Sequence, residues 1–372
     1  MRLGYKVAGG LAAGAALGGV AAGIGTLLVA RELYRRMRSA DLHGNVVLIT
    51  GSSRGLGLAM AEEFARQGAN LVICARDENE LSLAEERLRA LGAEVLSVAC
   101  DIGQREQVQD LVRRANQRFG GVDVLVNNAG IITVGPLKTQ TLEDFQRSMD
   151  VIFWGTVYPT LEVLPQMLAR RSGRIANITS IGGRISVPHL LPYNCAKFAT
   201  VGFSEGLRAE LAKDKIKVTT VIPGLMRTGS YINAEMKGQQ RAEYAWFSLS
   251  SSLPLLTAGA RRAARCIVSA VRRGDAEIII TPGAKLASLA HGIAPGLTAD
   301  VLGLVNRVLP TEGDASTERL RGKEAESAVS RSFVTALGKK AAREFQHEEP
   351  TRTVAKPAAT TTGSTPAEAI GT

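Results

Sequence analysis

The sequence predicts an α/β protein built on a doubly wound parallel sheet, and three observations predict it. Apolar runs of strand length alternate with segments of helical spacing across residues 45–280. The runs are rich in Val and Ile at successive positions, the pattern of strands covered on both faces. A glycine-rich turn separates the first run from the first helical segment. Together these features describe a Rossmann-type sheet of about seven strands in a single catalytic domain.

The elements follow in order. Val46–Thr50 is the first apolar run, and Leu56–Gln67 has helical spacing up to Gly68, a helix stop. Leu71–Cys74 is the second strand, Glu78–Leu91 a helix closed by Gly92, and Val95–Ala99 the third strand. Gln104–Phe119 is a helix ending at Gly120-Gly121, followed by strands over Val122–Val126 and Arg174–Thr179. Pro192–Lys213 contains a long helix, and Lys217–Ile222 and Glu277–Ile280 complete the strands. The domain boundaries are drawn at 41–282, with an N-terminal segment 1–40, an apolar extension 283–310 and a tail 311–372.

The chain of 372 residues carries a formal charge of +10 and is 45% hydrophobic, enough for a sizeable core. Basic charge suits nucleic acid, an anionic membrane or an anionic cofactor. No finger spacing or aromatic–basic motif supports nucleic acid as a partner. The four cysteines (74, 100, 195, 266) form no C-x-x-C pair, as expected in a reducing compartment. No two of the four histidines (43, 189, 291, 347) have metal-ligand spacing, so no metal site is expected.

Residues 7–30 contain no charge, a length that spans a bilayer as a helix. Arg31, Arg35, Arg36 and Arg38 follow, which places the domain on the cytoplasmic side of a membrane by the positive-inside tendency. Gly10, Gly14 and Gly18 share one helix face, as in membrane helix pairs. A transmembrane helix is the expectation; a cleaved signal peptide and a flexible leader are the competing readings. Residues 311–372 are charged and small, so a disordered tail is expected, with a weak helical stripe through Leu320, Ala328, Phe333 and Leu337.

The turn Thr50-Gly51-Ser52-Ser53-Arg54-Gly55-Leu56-Gly57 lies between a strand and a helix. Its glycines permit close backbone approach, and the helix start offers free N–H groups to a pyrophosphate. The second strand ends at Cys74-Ala75-Arg76, where an acid would select NAD by its ribose 2′-hydroxyl. Arg76 and Arg54 instead suit a 2′-phosphate, so NADP(H) is the expected cofactor. The competing reading of Arg76 is a solvated arginine at a helix start, where Asp77 beside it could pair with it.

The ordered set of motifs resembles the short-chain dehydrogenase/reductase family. Its T-G-x-x-x-G-x-G stands at Thr50–Gly57, its N-N-A-G at Asn127–Gly130 and its Tyr-x-x-x-Lys at Tyr193–Lys197. Ser180 lies thirteen residues before the tyrosine, and Pro223, Gly224 and Thr228 match a later motif. The resemblance implies an oxidoreductase in which Ser180 holds the carbonyl or alcohol, Tyr193 gives or takes the proton, and Lys197 bonds the nicotinamide ribose. It also places Asp101 and Ile102 near the adenine. Asn128, Ala129 and Gly130 would line the cofactor cleft, and Pro223, Leu225 and Thr228 would border the nicotinamide. The spacing agrees, since Tyr193 and Lys197 fall on one helix face. A nearby ammonium and an oxidised nicotinamide are expected to lower the tyrosine's pKa. One departure stands out: the family commonly has asparagine, part of a water relay, where this chain has Ile152.

After Thr228 come Tyr231, Met236, Tyr244, Trp246, Phe247, Leu249 and Leu253. They suit either an apolar cap over a hydrophobic carbonyl or alcohol substrate, or the ordinary packing of a lid. Ala287, Leu289, Ile293, Leu297, Val301, Leu304, Val305 and Val308 could lie on a membrane, cover the cleft or join two copies, and a homo-oligomer is expected. The arginines 261, 262, 265, 272 and 273 read as a solvated helix face. The alternative to an enzyme is a catalytically weak NADP(H)-binding sensor or scaffold.

Overall fold

In the computed structural model of the chain, residues 39–252, 257–314, 316–325 and 336–345 are described, with four more between 26 and 32. The first half runs β1 (Val46–Thr50), α1 (Gly55–Arg66), β2 (Asn70–Ala75), α2 (Glu78–Arg89), β3 (Val95–Ala99) and α3 (Arg105–Phe119). It continues through β4 (Val124–Asn127), β5 (Thr133–Val134), α4 (Leu142–Ser148), α5 (Gly155–Ala169) and β6 (Arg174–Ile178). The second half runs α6 (Leu191–Leu211), β7 (Lys217–Ile222), β8 (Met226–Arg227), β9 (Glu235–Met236), α7 (Gln240–Ser250) and β10 (Ala258–Gly259). Then come α8 (Ala260–Arg273), β11 (Glu277–Ile279), α9 (Pro282–Ile293), α10 (Pro295–Asn306), β12 (Leu320–Arg321) and α11 (Ala336–Glu344).

Seven strands form one sheet in the order β3-β2-β1-β4-β6-β7-β11, and every pairing is parallel. The alternation of side chains along β1 divides the core. Val47 and Ile49 point to one face, where they pack with Leu58, Phe64 and Ile267 of α1 and α8. Val46 and Leu48 point to the other, against Val108, Leu111 and Val163 of α3 and α5. All five β1 residues are buried, because helices cover both faces. At roughly 1.5–3 kcal/mol for each large apolar side chain, this two-sided burial dominates the fold's stability.

The region 131–173, to which the sequence pattern assigns no strand or helix, holds β5 and a helix broken by a π segment. α4, the π segment Met149–Trp154 and α5 follow without a gap. Pro159 and Pro165 lie inside α5, which obscures its helical signal. The disordered tail needs correction in two stretches. β12 pairs antiparallel with β9, and α11 packs on the domain with Ala342 and Phe345 buried. The buried groups there are mostly alanines, so composition gives little sign of docking. The helical stripe expected through Leu320 is a strand at that residue; Leu337 does fall in a helix, α11, and Ala328 and Phe333 lie outside the described residues.

Most of the uncharged run 7–30 also lies outside the described residues. Among those described, no helix is long and apolar enough to cross a membrane.

Candidate active site

The glycine turn fits its place at the sheet's upper edge through close contacts. Gly51 has φ 62°, and a Cβ there would stand 2.8 Å from Ala129 Cα. A Cβ on Gly57 would meet the Gly51 carbonyl at 2.2 Å. The Thr50 hydroxyl accepts from the N–H groups of Asn128 and Ala129 at 2.9 and 3.0 Å. Asn128 Nδ2 donates to the carbonyls of Thr50 and Gly51 at 3.0 and 2.9 Å, locking the end of β4 to the turn. Backbone this bare at the start of α1 is a cradle fitted to a dinucleotide pyrophosphate.

Around that cradle the other expected cofactor residues gather. Arg54 forms an ion pair with Glu80, which also accepts from the Ser53 hydroxyl at 3.0 Å. Asp77 does not pair with Arg76: its side chain caps α2 by accepting from the Glu80 N–H at 3.0 Å. Arg76 is exposed, with no ion-pair or hydrogen-bond partner among the described residues. Leu56 and Ile102 are buried, and Asp101 Oδ1 accepts from the Gly103 N–H at 3.0 Å to hold the turn after β3. The Pro223 carbonyl accepts from the Ile181 N–H at 2.8 Å, which ties the Pro223–Gly224 step to the segment after Ser180. Gly224 packs tightly on Thr281, and Thr228 is buried nearby in sequence.

One neighbour of the cradle has no forecast in the sequence. The Gly55 N–H donates to the Phe345 carbonyl at 3.0 Å. The Phe345 ring lies between the guanidinium groups of Arg87 and Arg261, at 5.7 and 5.8 Å from its centroid. The chain just past α11 therefore occupies the Gly55 N–H at the start of α1, and Ala342 packs against Gly229 just past Thr228.

Ser180, Tyr193 and Lys197 come together as expected. Ser180 leaves the end of β6 and accepts from the Gly182 N–H at 3.0 Å. Its hydroxyl hydrogen-bonds Tyr193. Tyr193 and Lys197 share a face of α6, with Nζ 5.7 Å from the tyrosine ring centroid. Lys197 is buried and donates to the Ile178 carbonyl at 2.8 Å. Burial pushes the Tyr193 phenol up to about 12, against the opposing pull of the Ser180 bond. Burial likewise brings the Lys197 ammonium down to about 8. The expected lowering of the tyrosine pKa is therefore not a property of the protein alone: desolvation outweighs the Ser180 hydrogen bond. A Cβ on Gly130 would lie 3.8 Å from Ile152 Cγ1 and 3.9 Å from Lys197 Nζ. Ile152 thus stands in the same small space as the ammonium, and it is buried within the π segment.

The apolar residues after Thr228 are mainly lid core. Tyr231, Met236, Tyr244 and Phe247 are buried together with Val134 and Leu190, and the partly buried Tyr193 and Trp246 pack against them. Leu253 lies outside the described residues.

Comparison with known proteins agrees with this architecture. The short chain dehydrogenase family model matches residues 45–238. A dehydrogenase/reductase SDR family protein 7-like from Anopheles gambiae is 34% identical over 284 residues, covering 73% of this chain and 87% of that one. A short-chain dehydrogenase/reductase from Burkholderia phymatum, solved with NAD, superposes with a TM-score of 0.65 at 28% identity. It covers 69% of this chain and 96% of that one. L-sorbose reductase from Gluconobacter frateurii, solved with NADPH and L-sorbose, gives a TM-score of 0.59 at 30% identity, covering 65% and 97%. The chain belongs to the short-chain dehydrogenase/reductase family. It is an oxidoreductase fold of the kind that binds a nicotinamide dinucleotide.

Proposed function

We propose that the protein is an NADP(H)-dependent oxidoreductase that interconverts a carbonyl and an alcohol on a hydrophobic substrate, with Tyr193 as its acid and base. The observation that carries this reading is the meeting of Ser180, just past β6, with Tyr193 and Lys197 on α6. The nicotinamide supplies or accepts a hydride. The chain's own residues do the rest. Gly51, Gly55 and Gly57 admit the pyrophosphate, and Arg54 and Arg76 bind the 2′-phosphate, Arg54 exchanging Glu80 for it. Ser180 holds the substrate oxygen by a hydrogen bond. Tyr193, fully protonated at neutral pH, delivers its proton to that oxygen as negative charge develops there. NADP(H) as the cofactor favours reduction. Lys197 stabilises the phenolate left behind.

The test is NADPH oxidation by the purified protein against hydrophobic ketones and aldehydes. Turnover should disappear in Tyr193→Phe, and Arg76→Asp should shift preference towards NADH. Unchanged turnover in the first variant sinks the assignment of the acid; unchanged preference in the second sinks that of the 2′-phosphate. Ile152 favours a second reading, because an isoleucine beside Lys197 cannot hold a relay water. Tight NADPH binding with no turnover in the wild type would support a sensor or scaffold instead.

We also infer that the domain works at a lipid surface, on its cytoplasmic side. Supporting this, α9 and α10 bury none of their large side chains: Ile293 is 75% and Val308, just beyond α10, 81% exposed. Leu286, Leu289, Leu297 and Leu304 are exposed as well. The uncharged run 7–30 is the second support.

A further inference from the structure

A polar group that the reaction does not use lies inside the apolar lid. His189 Nδ1 stands 2.8 and 3.0 Å from the two carboxylate oxygens of Glu243 on α7. Trp246 Nε1 donates to the same carboxylate at 2.6 Å. The side chains of His189 and Glu243 are 5% and 0% exposed. No other cation pairs with Glu243 among the described residues.

The backbone holding this imidazole is itself unusual. Val187-Pro188-His189-Leu190 closes a turn through the Leu190 N–H and Val187 carbonyl, and His189 has φ 64°. Proline followed by a left-handed residue is the pattern of a type II turn, where glycine or asparagine is the usual occupant. Histidine there costs on the order of 1–2 kcal/mol. Side chains kept at such a cost cluster at functional positions.

The imidazole also has a place to act. Together with Leu137, Val187, Leu302, Leu309 and, at its polar side, Arg307 and Glu312, His189 lines a cavity of about 470 Å³. Val187, Leu190 and Trp246 pack in the same apolar cluster as the Tyr193 ring. Nδ1 is taken by Glu243, and Nε2 has no protein partner among the described residues. With both ring nitrogens protonated, the imidazole pairs with the Glu243 carboxylate through Nδ1 and presents Nε2–H as a hydrogen-bond donor.

The geometry points to His189, held by Glu243, as a second polar subsite that binds an acceptor oxygen on the substrate, remote from the carbon that reacts. This deepens the oxidoreductase reading and rests on it for the first oxygen's place at Ser180 and Tyr193. The substrate class becomes an apolar skeleton with oxygen at both ends. An acceptor-free skeleton would leave the donor buried without a partner, which sites of this kind discriminate against.

Two pairs of ketones test this: 2-decalone with decalin-2,6-dione, and 4-cyclohexylcyclohexanone with bicyclohexyl-4,4′-dione. Calorimetry would measure their binding to NADPH-loaded Tyr193→Phe protein, alongside turnover by the wild type. In at least one pair the dione should bind about tenfold or more tightly, the increment of a hydrogen bond from a charged donor. His189→Phe, added to that protein, should reduce the ratio towards one. His189→Asn, which tolerates the left-handed backbone, should do the same if the phenylalanine variant fails to fold. Equal loss of affinity for both members of each pair would mean a structural role only and overturn the proposal, as would the absence of any dione preference before mutation. Failure of the oxidoreductase reading registers separately, as wild-type turnover of none of the four ketones.

Discussion

Burying the Lys197 ammonium costs the folded protein free energy at neutral pH, and its pKa near 8 measures that cost. An unfolded lysine keeps its proton to about 10.4. Between these values the unfolded chain binds the extra proton, so stability rises with pH. The gain stops near pH 10, where unfolded tyrosine ionises while Tyr193, at about 12, does not. Thermal melts at pH 7.5 and 9.5 should therefore show a stabilising increment in the wild type that shrinks in Lys197→Met. An equal increment in both proteins would show that the ammonium is solvated. Ser180, Tyr193 and Lys197 are legible in sequence because short fixed intervals join them. His189 and Glu243 are 54 residues apart, and nothing local marks a histidine with positive φ. The Ile178 carbonyl that receives Lys197 is backbone, which no motif names.

The strands are the elements best foretold. Val46–Thr50, Val95–Ala99 and Lys217–Ile222 have the expected limits, each a short Val-rich or Ile-rich run bounded by turn residues. The arginine-rich α8 is less solvated than its sequence implies. Arg261 pairs with Glu344, Arg272 with the Ala40 carbonyl and Gln67, and Arg273 with Asp275. α11 escapes sequence reading because it docks through alanines, one ring and main-chain bonds. Phe345, 1% exposed, is the largest buried side chain at that contact. Phe345→Ala should lower stability by about 3 kcal/mol, read from urea unfolding. A change below about 0.5 kcal/mol would mean that α11 is not docked in solution.

At the scale of the whole molecule, the uneven feature is the α9–α10 pair that follows edge strand β11. The chain arrives from its N-terminal side at Ala40, whose N–H donates to the Arg272 carbonyl at 2.9 Å, at the end of α8 just before β11. Ala40 and the apolar helix pair thus meet the domain on either side of one short strand. Protein lacking residues 1–38 should still cosediment with vesicles containing anionic lipid, and Leu289→Lys with Leu297→Lys should abolish it. Retention of binding by the double variant would leave the helix pair to a second copy of the chain, which sedimentation velocity would detect. The sequence shows these leucines as apolar, but period alone cannot tell a buried stripe from an exposed one.

The contact between Phe345 and Gly55 also orders events in time. Gly55 belongs to the first turn of the domain to leave the ribosome, yet the carbonyl that meets its N–H is made almost three hundred residues later. At elongation rates of roughly 5–20 residues per second, that interval lasts tens of seconds. Throughout it the turn stands open to any passing nucleotide, without this neighbour. A cofactor caught during synthesis enters a cradle of different make from the one a finished chain presents, and α11 docks beside whatever is already there.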